Sequence, residues 1–174
     1  MTMETKTYDP GGLIAGDYPL AHRAGTIAES EALVRGTVLG RRSVGTASSA
    51  AKAGGNTGNG TFVLDGTTPV RAGAKPGVYT LRCIAAASNA GTFALMDPEG
   101  FALGQYAITG GSGGTATIDN DIKGVLTDGG TDFAAGDGFD ITIAAGSDKY
   151  VKSVAAAVDG SADPVAVLAE DVDA

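Results

Sequence analysis

The stretch Gly77–Met96 alternates apolar and polar side chains, and this pattern constrains the fold more than any other feature of the chain. In its first half, every second residue is apolar: Tyr79, Leu81, Cys83 and Ala85. Thr80 and Arg82 fall between them, on the opposite face of an extended chain. A turn follows at Ser88–Gly91, since Asn and Gly tolerate positive φ, and the alternation then resumes. The stretch therefore predicts a β-hairpin with one buried face.

Strand-like segments recur at short spacing from Thr61 onward, separated by Gly, Asp and Pro. The predicted strands are Thr61–Asp65, Gly77–Ala86, Thr92–Met96, Leu103–Ile108, Thr115–Ile118, Ile122–Thr127, Gly138–Ala145, Tyr150–Val158 and Pro164–Glu170. No amphipathic segment of about ten residues is available for a helical crossover between parallel strands. The sequence therefore predicts an all-β fold, either a small β-barrel or a sandwich.

The predicted core is built mainly from aliphatic side chains. Its members are Leu81, Cys83, Phe93, Leu95, Phe139, Ile141 and Ile143. Of all residues 43% are apolar, but only 6% are aromatic and there is no Trp. Cys83 is the only cysteine, so it cannot form an internal disulfide. Its place on the apolar face of a strand indicates a buried, unreactive thiol.

The charge and hydropathy patterns exclude two classes of partner. The chain has a formal net charge of −8 and a sequence pI near 4.4. Binding to a nucleic-acid backbone depends on clustered Lys and Arg, which this balance does not favour. The N-terminus is polar, and no apolar run approaches the roughly 18 residues of a membrane span. We expect neither nucleic acid nor a membrane as partner.

Residues 1–30 have too many Gly and Pro for a helix of useful length. They nevertheless carry apolar residues, which gain by packing: Leu13, Ile14, Tyr18, Leu20 and Ile27. We expect an extended arm that becomes ordered on a partner. After the arm, residues 31–43 indicate a strand with a bulge or a tight hairpin around Gly36 and Gly40. Residues 45–60 are small, polar and rich in Gly, and are expected to form a flexible connection.

Six aspartates lie in two Gly-rich loops: Asp119, Asp121, Asp128, Asp132, Asp137 and Asp140. Calcium prefers several oxygen ligands, but the spacing matches neither an EF-hand nor the repeated nonapeptide of a calcium β-roll. We interpret these aspartates as solvated turn residues, with a calcium site as the alternative.

No pattern typical of catalysis is present. His22, the only histidine, lies beside Arg23 with no positioned nucleophile nearby, which is more typical of a contact residue than of a general base. The Gly-rich runs at 54–60 and 110–114 lack the Lys-Ser/Thr ending of a phosphate-binding loop. We therefore expect no enzyme, no cofactor and no metal site.

Four runs resemble tailed-bacteriophage and prophage head decoration proteins of the lambda-type, capsid-stabilising class. They are PLAHRAGTIAESEALVRGTVLGRRS, PGVYTLRCIAAASNAGTFALMDPEGFALGQYAI, GTDFAAGDGFDITIAAGSDKY and SVAAAVDGSADPVAVLAEDVDA. The resemblance extends from about Pro19 over nearly the whole chain, and it lies in the order of the runs rather than in a chemical motif.

This resemblance implies a β-rich cement protein in the virion. It would bind the major capsid protein on the outer surface of the expanded shell, as a homotrimer at three-fold positions, and stabilise the shell against DNA pressure. Members of the family use the N-terminal arm to reach the capsid protein. The expected capsid contacts are therefore Leu13, Ile14, Tyr18, Leu20, His22, Arg23 and Ile27.

The chain departs from the compact, single-domain members of this family by an apparent insertion. We expect an arm at residues 1–30, a decoration-type β base at 31–44 and 148–174, and an inserted β-rich module at 45–147 that faces outward. Family members also continue past the position of Asp173 with a further strand. Either a neighbouring chain supplies that edge or the fold closes without it.

Two other classes remain as alternatives. A β-sandwich binding module for carbohydrate or calcium-dependent adhesion, on a virion or cell surface, would share the acidic, all-β character. Sugar sites usually rely on exposed aromatic platforms, however, and this chain has no Trp. A virion-associated hydrolase would need paired carboxylates in a cleft, which the spacing does not indicate.

Overall fold

The computed structural model describes residues 21, 23–28 and 32–173, and within them the chain is all-β, which confirms the predicted class. The strands are β1 (Ala32–Leu33), β2 (Val38–Arg41), β3 (Val44–Ala51), β4 (Thr61–Leu64), β5 (Gly77–Ala87), β6 (Ala90–Met96), β7 (Ala102–Ile108), β8 (Thr115–Asp119), β9 (Lys123–Thr127), β10 (Gly138–Ala145), β11 (Tyr150–Lys152), β12 (Pro164–Val167) and β13 (Val172–Asp173). Over the described ranges no helix is long and apolar enough to cross a membrane.

Strands β3 to β10 form a two-sheet sandwich. A five-stranded antiparallel sheet has the order β3-β10-β5-β6-β7, and a three-stranded antiparallel sheet has the order β4-β9-β8. Buried side chains from both sheets share one core, with Phe93 and Phe139 from the larger sheet and Phe62 from the smaller one. In the part of the chain that is described, the order of strands does not close on itself in any sheet, so a sandwich and not a closed barrel is present.

The predicted core is confirmed. All seven of its members are at most 6% exposed: Leu81, Cys83, Phe93, Leu95, Phe139, Ile141 and Ile143. Phe133, from the loop before β10, completes the aromatic part of the core with edge-on contacts to Phe93 and Phe139 at ring-centre distances of 5.0 and 6.1 Å. Edge-to-face pairs of this kind add to the stability gained by burial alone.

The predicted hairpin is present as β5 and β6, with Ala87 paired to Ala90 across a tight turn. Asn89 adopts a φ of 50° in that turn, as the pattern predicted for an Asn. A register shift between Cys83 and Ala85 leaves Ile84 and Ala85 exposed. The expectation that Ala85 continues the buried face is therefore wrong, because a β-bulge changes the side on which the following residues lie.

The expectation of a flexible connection over residues 45–60 is wrong for its first half. Residues 44–51 form β3, which pairs with β10 along the edge of the larger sheet. Ala, Ser and Gly have weak β propensity, so the local sequence does not predict this strand, and the neighbouring strand supplies its hydrogen-bond partners. Residues 52–60 form the connection to β4 without a strand.

The remaining strands form what we call the base, residues 32–43 and 148–173. Its three-stranded sheet has the order β11-β2-β12, and β1 pairs with β13. Gly36 takes a φ of +88° in the turn before β2, and a side chain at Gly40 would collide with the backbone of Ser161. Gly36 is therefore needed for the turn, and Gly40 for the close approach of two backbone segments. The predicted division into arm, base and inserted module stays a prediction.

Candidate functional site

Most of the residues expected to contact a capsid lie outside the described residues. These are Leu13, Ile14, Tyr18, Leu20 and His22. Arg23 is exposed, and Ile27 is half-buried in an isolated parallel bridge with Tyr150. Ile27 thus packs on the base of its own chain, and Arg23 is one of the residues that line an open groove, described below.

The end of the arm is attached to the start of β11. The Ala28 N–H donates to the Tyr150 carbonyl at 2.9 Å, and the Tyr150 N–H donates to the Thr26 carbonyl at 2.8 Å. Gly25 lies against the Tyr150 ring, where a Cβ would come within 2.6 Å of Cε2. The close approach requires glycine at this position, and it fixes where the preceding residues cross the base.

A groove of about 830 Å³ lies between this part of the arm and the base. Its walls are formed by Ala21, Arg23, Ala24, Gly25, Ile27, Leu39, Arg41, Tyr150, Val165, Ala166, Val167, Leu168, Ala169, Glu170 and Val172. Six of these residues, from Val165 to Glu170, are consecutive, so one wall of the groove follows the edge of β12 and the segment after it. A groove of this shape suits an extended peptide segment.

Among the described residues, strand β12 pairs with β2 alone, so it is an edge strand of the sheet that they form. All four of its residues are exposed. A free strand edge presents unpaired N–H and C=O groups, which natural proteins normally cover or protect with charge. Here the exposed side chains are Pro164, Val165, Ala166 and Val167, none of which is charged.

Exposed valines surround this edge. Val38 of β2 lies directly opposite Val167 of β12, and the two are 44% and 51% exposed. Val165, two residues before Val167, is 57% exposed. We call Val38, Val165 and Val167 the valine patch. The sequence does not reveal the valine patch, because alternating valines in a short strand predict a buried face. These valines are exposed to solvent because β12 lies at the edge of its sheet.

An ion pair connects the residue after β2 with the loop that follows β11. Arg42 Nε lies 3.1 Å from Asp159 Oδ2, and Ser161 donates to the same carboxylate from its N–H and its hydroxyl. Burial acts to raise the pKa of Asp159, but the Ser161 donors and the Arg42 charge outweigh it and hold that pKa below its ordinary value. These contacts position the loop that follows β11 and fix the surface beside β2.

Four of the six loop aspartates are exposed or half-buried, and each accepts a hydrogen bond from another residue of the fold. Asp119 receives two hydrogen bonds from Arg71 at 2.7 and 2.8 Å, and Asp140 pairs with Arg82. Asp121 accepts from the Tyr79 hydroxyl at 3.2 Å, and Asp132 accepts from the Asn89 N–H at 2.7 Å. Across the described ranges, no group of three or more His, Cys, Asp or Glu is placed to hold a metal ion.

The other two aspartates are buried, so their interpretation as solvated turn residues is wrong. Asp137 is 3% exposed and accepts backbone N–H bonds from Thr57, Gly58 and Ala134 at 2.9 to 3.1 Å. Asp128 is 4% exposed, and neither of its carboxylate oxygens has a hydrogen-bond partner. Both aspartates lie in the loop between β9 and β10, which thus holds one carboxylate with three N–H donors and one without a hydrogen-bond partner.

Cys83 has no feature of a reactive thiol. Its side chain is buried in the core, and burial raises the pKa of the thiol above its ordinary value. A raised pKa suppresses the thiolate, which is the nucleophilic form. This agrees with the prediction of a buried, unreactive cysteine.

The comparisons with known proteins do not assign the chain to a family. No protein-family model matches it, and no curated protein matches it. A crystal structure of Xanthomonas campestris FlgL is similar over 66% of this chain, at 19% sequence identity and a TM-score of 0.39. The chain spans 34% of the FlgL chain, and so weak a likeness carries no argument about function.

Proposed function

We propose that this chain is a structural protein of a tailed-phage virion that binds the outer surface of the expanded capsid. It assembles as trimers at three-fold positions and stabilises the shell against DNA pressure. In this proposal the base lies against the major capsid protein and the sandwich faces outward. The arm residues Leu13, Ile14, Tyr18, Leu20, His22 and Arg23 add contacts to the shell.

The observation that carries this proposal is the apolar surface of the base. Large apolar side chains are exposed on both parts of the chain: Val34, Val38, Val154, Val158, Val165 and Val167 on the base, and Val63, Val78, Ile84, Met96, Phe101 and Val125 on the sandwich. The base has the same number on far fewer residues. Exposed apolar side chains that gather on a small part of a protein are typical of a binding site for another protein.

The exposed edge of β12 also supports the binding of another protein to the base. The edge of β12 and the valine patch lie side by side, so backbone hydrogen bonds and apolar contacts are available together. Burying apolar surface contributes about 25 cal/mol per Å², and edge pairing adds directional specificity. A cement protein needs both, because it must recognise one position on a shell and remain there.

The alternative, a β-sandwich module that binds carbohydrate or calcium, receives less support. Four of its candidate aspartates are engaged with Arg71, Arg82, Tyr79 and Asn89. A ligand at these loops would have to displace existing hydrogen bonds. The exposed valines of the base would also have no role in such a module.

Co-sedimentation with purified expanded capsids of the phage that encodes this chain tests the proposal. We expect saturable binding by the unmodified protein. Val167→Glu should weaken that binding at least tenfold, because it places an unpaired charge in the interface. Val63→Glu, at a valine that is 62% exposed on β4, is the matched control and should bind as the unmodified protein does.

Two outcomes would contradict the proposal. If the unmodified protein stays in the supernatant at capsid excess, the chain is not a decoration protein. If both glutamate variants bind with undiminished affinity, the base is not the surface that faces the shell.

A further inference from the structure

Strands β7 and β8 of the sandwich separate soon after the turn that joins them. The Thr109 N–H donates to the Thr115 carbonyl at 3.2 Å, and the Thr115 N–H donates to the Thr109 carbonyl at 3.0 Å. Beyond this bridge, β7 continues beside β6 in the larger sheet, and β8 continues beside β9 in the smaller one. Among the described residues the two strands do not pair again, so a cleft lies between the edges of the two sheets.

The backbone of β7 offers hydrogen-bonding groups to this cleft. Both backbone groups of Thr109 point toward Thr115, and in an antiparallel ladder every second residue directs its groups to the same side. The pairing of β7 with β6 is regular over residues 104–108. The N–H and C=O of Gln105 and Ala107 therefore point away from β6, toward β8.

The backbone of β8 offers such groups from the opposite side. The Gly114 carbonyl accepts from the Asp128 N–H at 2.8 Å, on the β9 side, whereas the next residue, Thr115, bonds across to β7. The pairing of β8 with β9 has no register shift. The N–H and C=O of Thr117, two residues after Thr115, therefore also point toward β7.

The cleft has the size of a small-molecule site and is closed at both ends. Its volume is about 390 Å³, and it is lined by Gln105, Tyr106, Ala107, Thr109, Thr115, Ala116 and Thr117. The bridge between Thr109 and Thr115 closes one end. Toward the other end, Asn120 Nδ2, just after β8, donates to the Leu103 carbonyl of β7 at 3.1 Å. A peptide strand running along β7 would have to break one of these contacts, whereas a compact ligand would not.

The lining chemistry favours an uncharged ligand rich in hydroxyl groups. None of the seven lining residues is Asp, Glu, Lys, Arg or His, so a charged ligand would lose hydration without gaining an opposite charge. Hydroxyl groups both donate and accept, and they match a wall that presents N–H and C=O groups together. The half-buried Tyr106 ring lies over Gly104, where a Cβ would come within 3.2 Å of Tyr106 Oη. An aromatic ring beside polar groups suits a sugar, which has both C–H and O–H groups.

We propose that the cleft between β7 and β8 binds a neutral saccharide of one or two rings. The site lies between the edges of the two sheets of the sandwich, and its lining includes none of the loop aspartates considered above as calcium ligands. It adds a ligand to the structural role proposed for the chain and does not depend on it. Capsid binding by the base and sugar binding by the sandwich can fail separately.

A ¹⁵N NMR titration of the full chain tests the inference, with glucose, galactose and N-acetylglucosamine as probes. At least one of them should shift the amide signals of Gln105, Ala107 and Thr117 in a saturable way. Glucuronic acid, which differs from glucose by a carboxylate, should bind at least tenfold more weakly than glucose or the best neutral sugar. The proposal is overturned if no neutral sugar gives saturable shifts at these amides, or if glucuronic acid binds as tightly.

Variants at one position of β8 define the contact. Thr117→Pro removes an N–H that faces the cleft and should lower the affinity at least fivefold, and an edge strand tolerates Pro where its N–H is outside the ladder. Thr117→Ser keeps the N–H and the hydroxyl and should bind as the unmodified protein does. Ala107→Pro repeats the test from β7 and remains informative if Thr117→Pro does not fold.

The outcomes of these variants are distinct. Undiminished affinity in a folded proline variant would overturn the assignment to this cleft, and so would an equal loss in Thr117→Ser. A neutral tetrapeptide of Ala and Thr serves as the competing probe. If it shifts the same amides and the sugars do not, the cleft takes a peptide and the proposal is wrong.

Discussion

At the scale of single residues, Asp128 and Asp137, the two buried aspartates of the loop before β10, should respond oppositely to neutralisation. Asp128 has no hydrogen-bond partner on either oxygen, and a buried carboxyl group without a partner is costly. Asp128→Asn should therefore raise the free energy of unfolding by about 1 kcal/mol. Urea denaturation measures the change, with the exposed Asp132→Asn as control. A loss of stability in Asp128→Asn would instead reveal a stabilising partner of the carboxylate.

Asp137 is the opposite case and gives the fold a dependence on acid. Burial acts to raise the pKa of Asp137, but the N–H donors of Gly58, Thr57 and Ala134 outweigh burial and hold it below the ordinary value of 3.8. A carboxyl whose pKa is lower in the folded state stabilises the fold above its unfolded pKa, and this stabilisation disappears as the pH falls through the folded pKa.

Asp137→Asn should accordingly cost about 2 kcal/mol at pH 7, because charge-assisted hydrogen bonds to three N–H groups are weakened. The difference from the unmodified protein should shrink as the pH falls below 3.8. Thermal melts from pH 7 to pH 2.5 measure both effects. A difference that stays constant over this range would show that the carboxylate charge is not what stabilises the loop.

At the scale of elements, the hairpin β5–β6 and its packing on β10 should dominate stability. Phe93 is fully buried in the core, so Phe93→Ala should cost about 3–5 kcal/mol. Thr142→Ala, on the exposed face of β10, should cost much less. Chemical denaturation ranks the two, and a larger loss for Thr142→Ala would mean that the side chains lie on the opposite faces to those described.

Strands could be predicted from the sequence where apolar and polar side chains alternate strongly. Leu81, Phe93 and Ile141 could be placed in the core because their neighbours in sequence are polar or small. Strand β3 could not be predicted, since its Ala and Ser residues are held by pairing with β10 and not by their own preference. The bulge after Cys83 likewise depends on a long-range contact, as the Cys83 N–H donates to the Asp137 carbonyl.

The candidate site was less predictable than the core. The sequence indicated an arm with apolar residues, but it gave no sign of the groove or of the valine patch. Val38 and Val167 lie far apart in the chain and meet only through the pairing of β2 with β12. Their exposure follows from β12 being an edge strand, a property of the whole sheet that no local pattern contains.

At the scale of the whole molecule, the described chain has two parts, the sandwich and the base, to which the proposed function gives different tasks. The sandwich β3–β10 has its own shared core, and the base has the strand edge and the valine patch. The proposed arrangement puts the base on the shell and leaves the sandwich outward. Closed three-fold symmetry would also cover strand edges that a single copy leaves open.

Electron cryo-microscopy of expanded capsids saturated with the protein tests this arrangement most directly. The account predicts protrusions at the three-fold positions, each made of three copies, with β2 and β12 next to the shell and the β3–β10 sandwich pointing away from it. Density confined to five-fold vertices, single copies at hexamer centres, or the sandwich packed against the shell would contradict it.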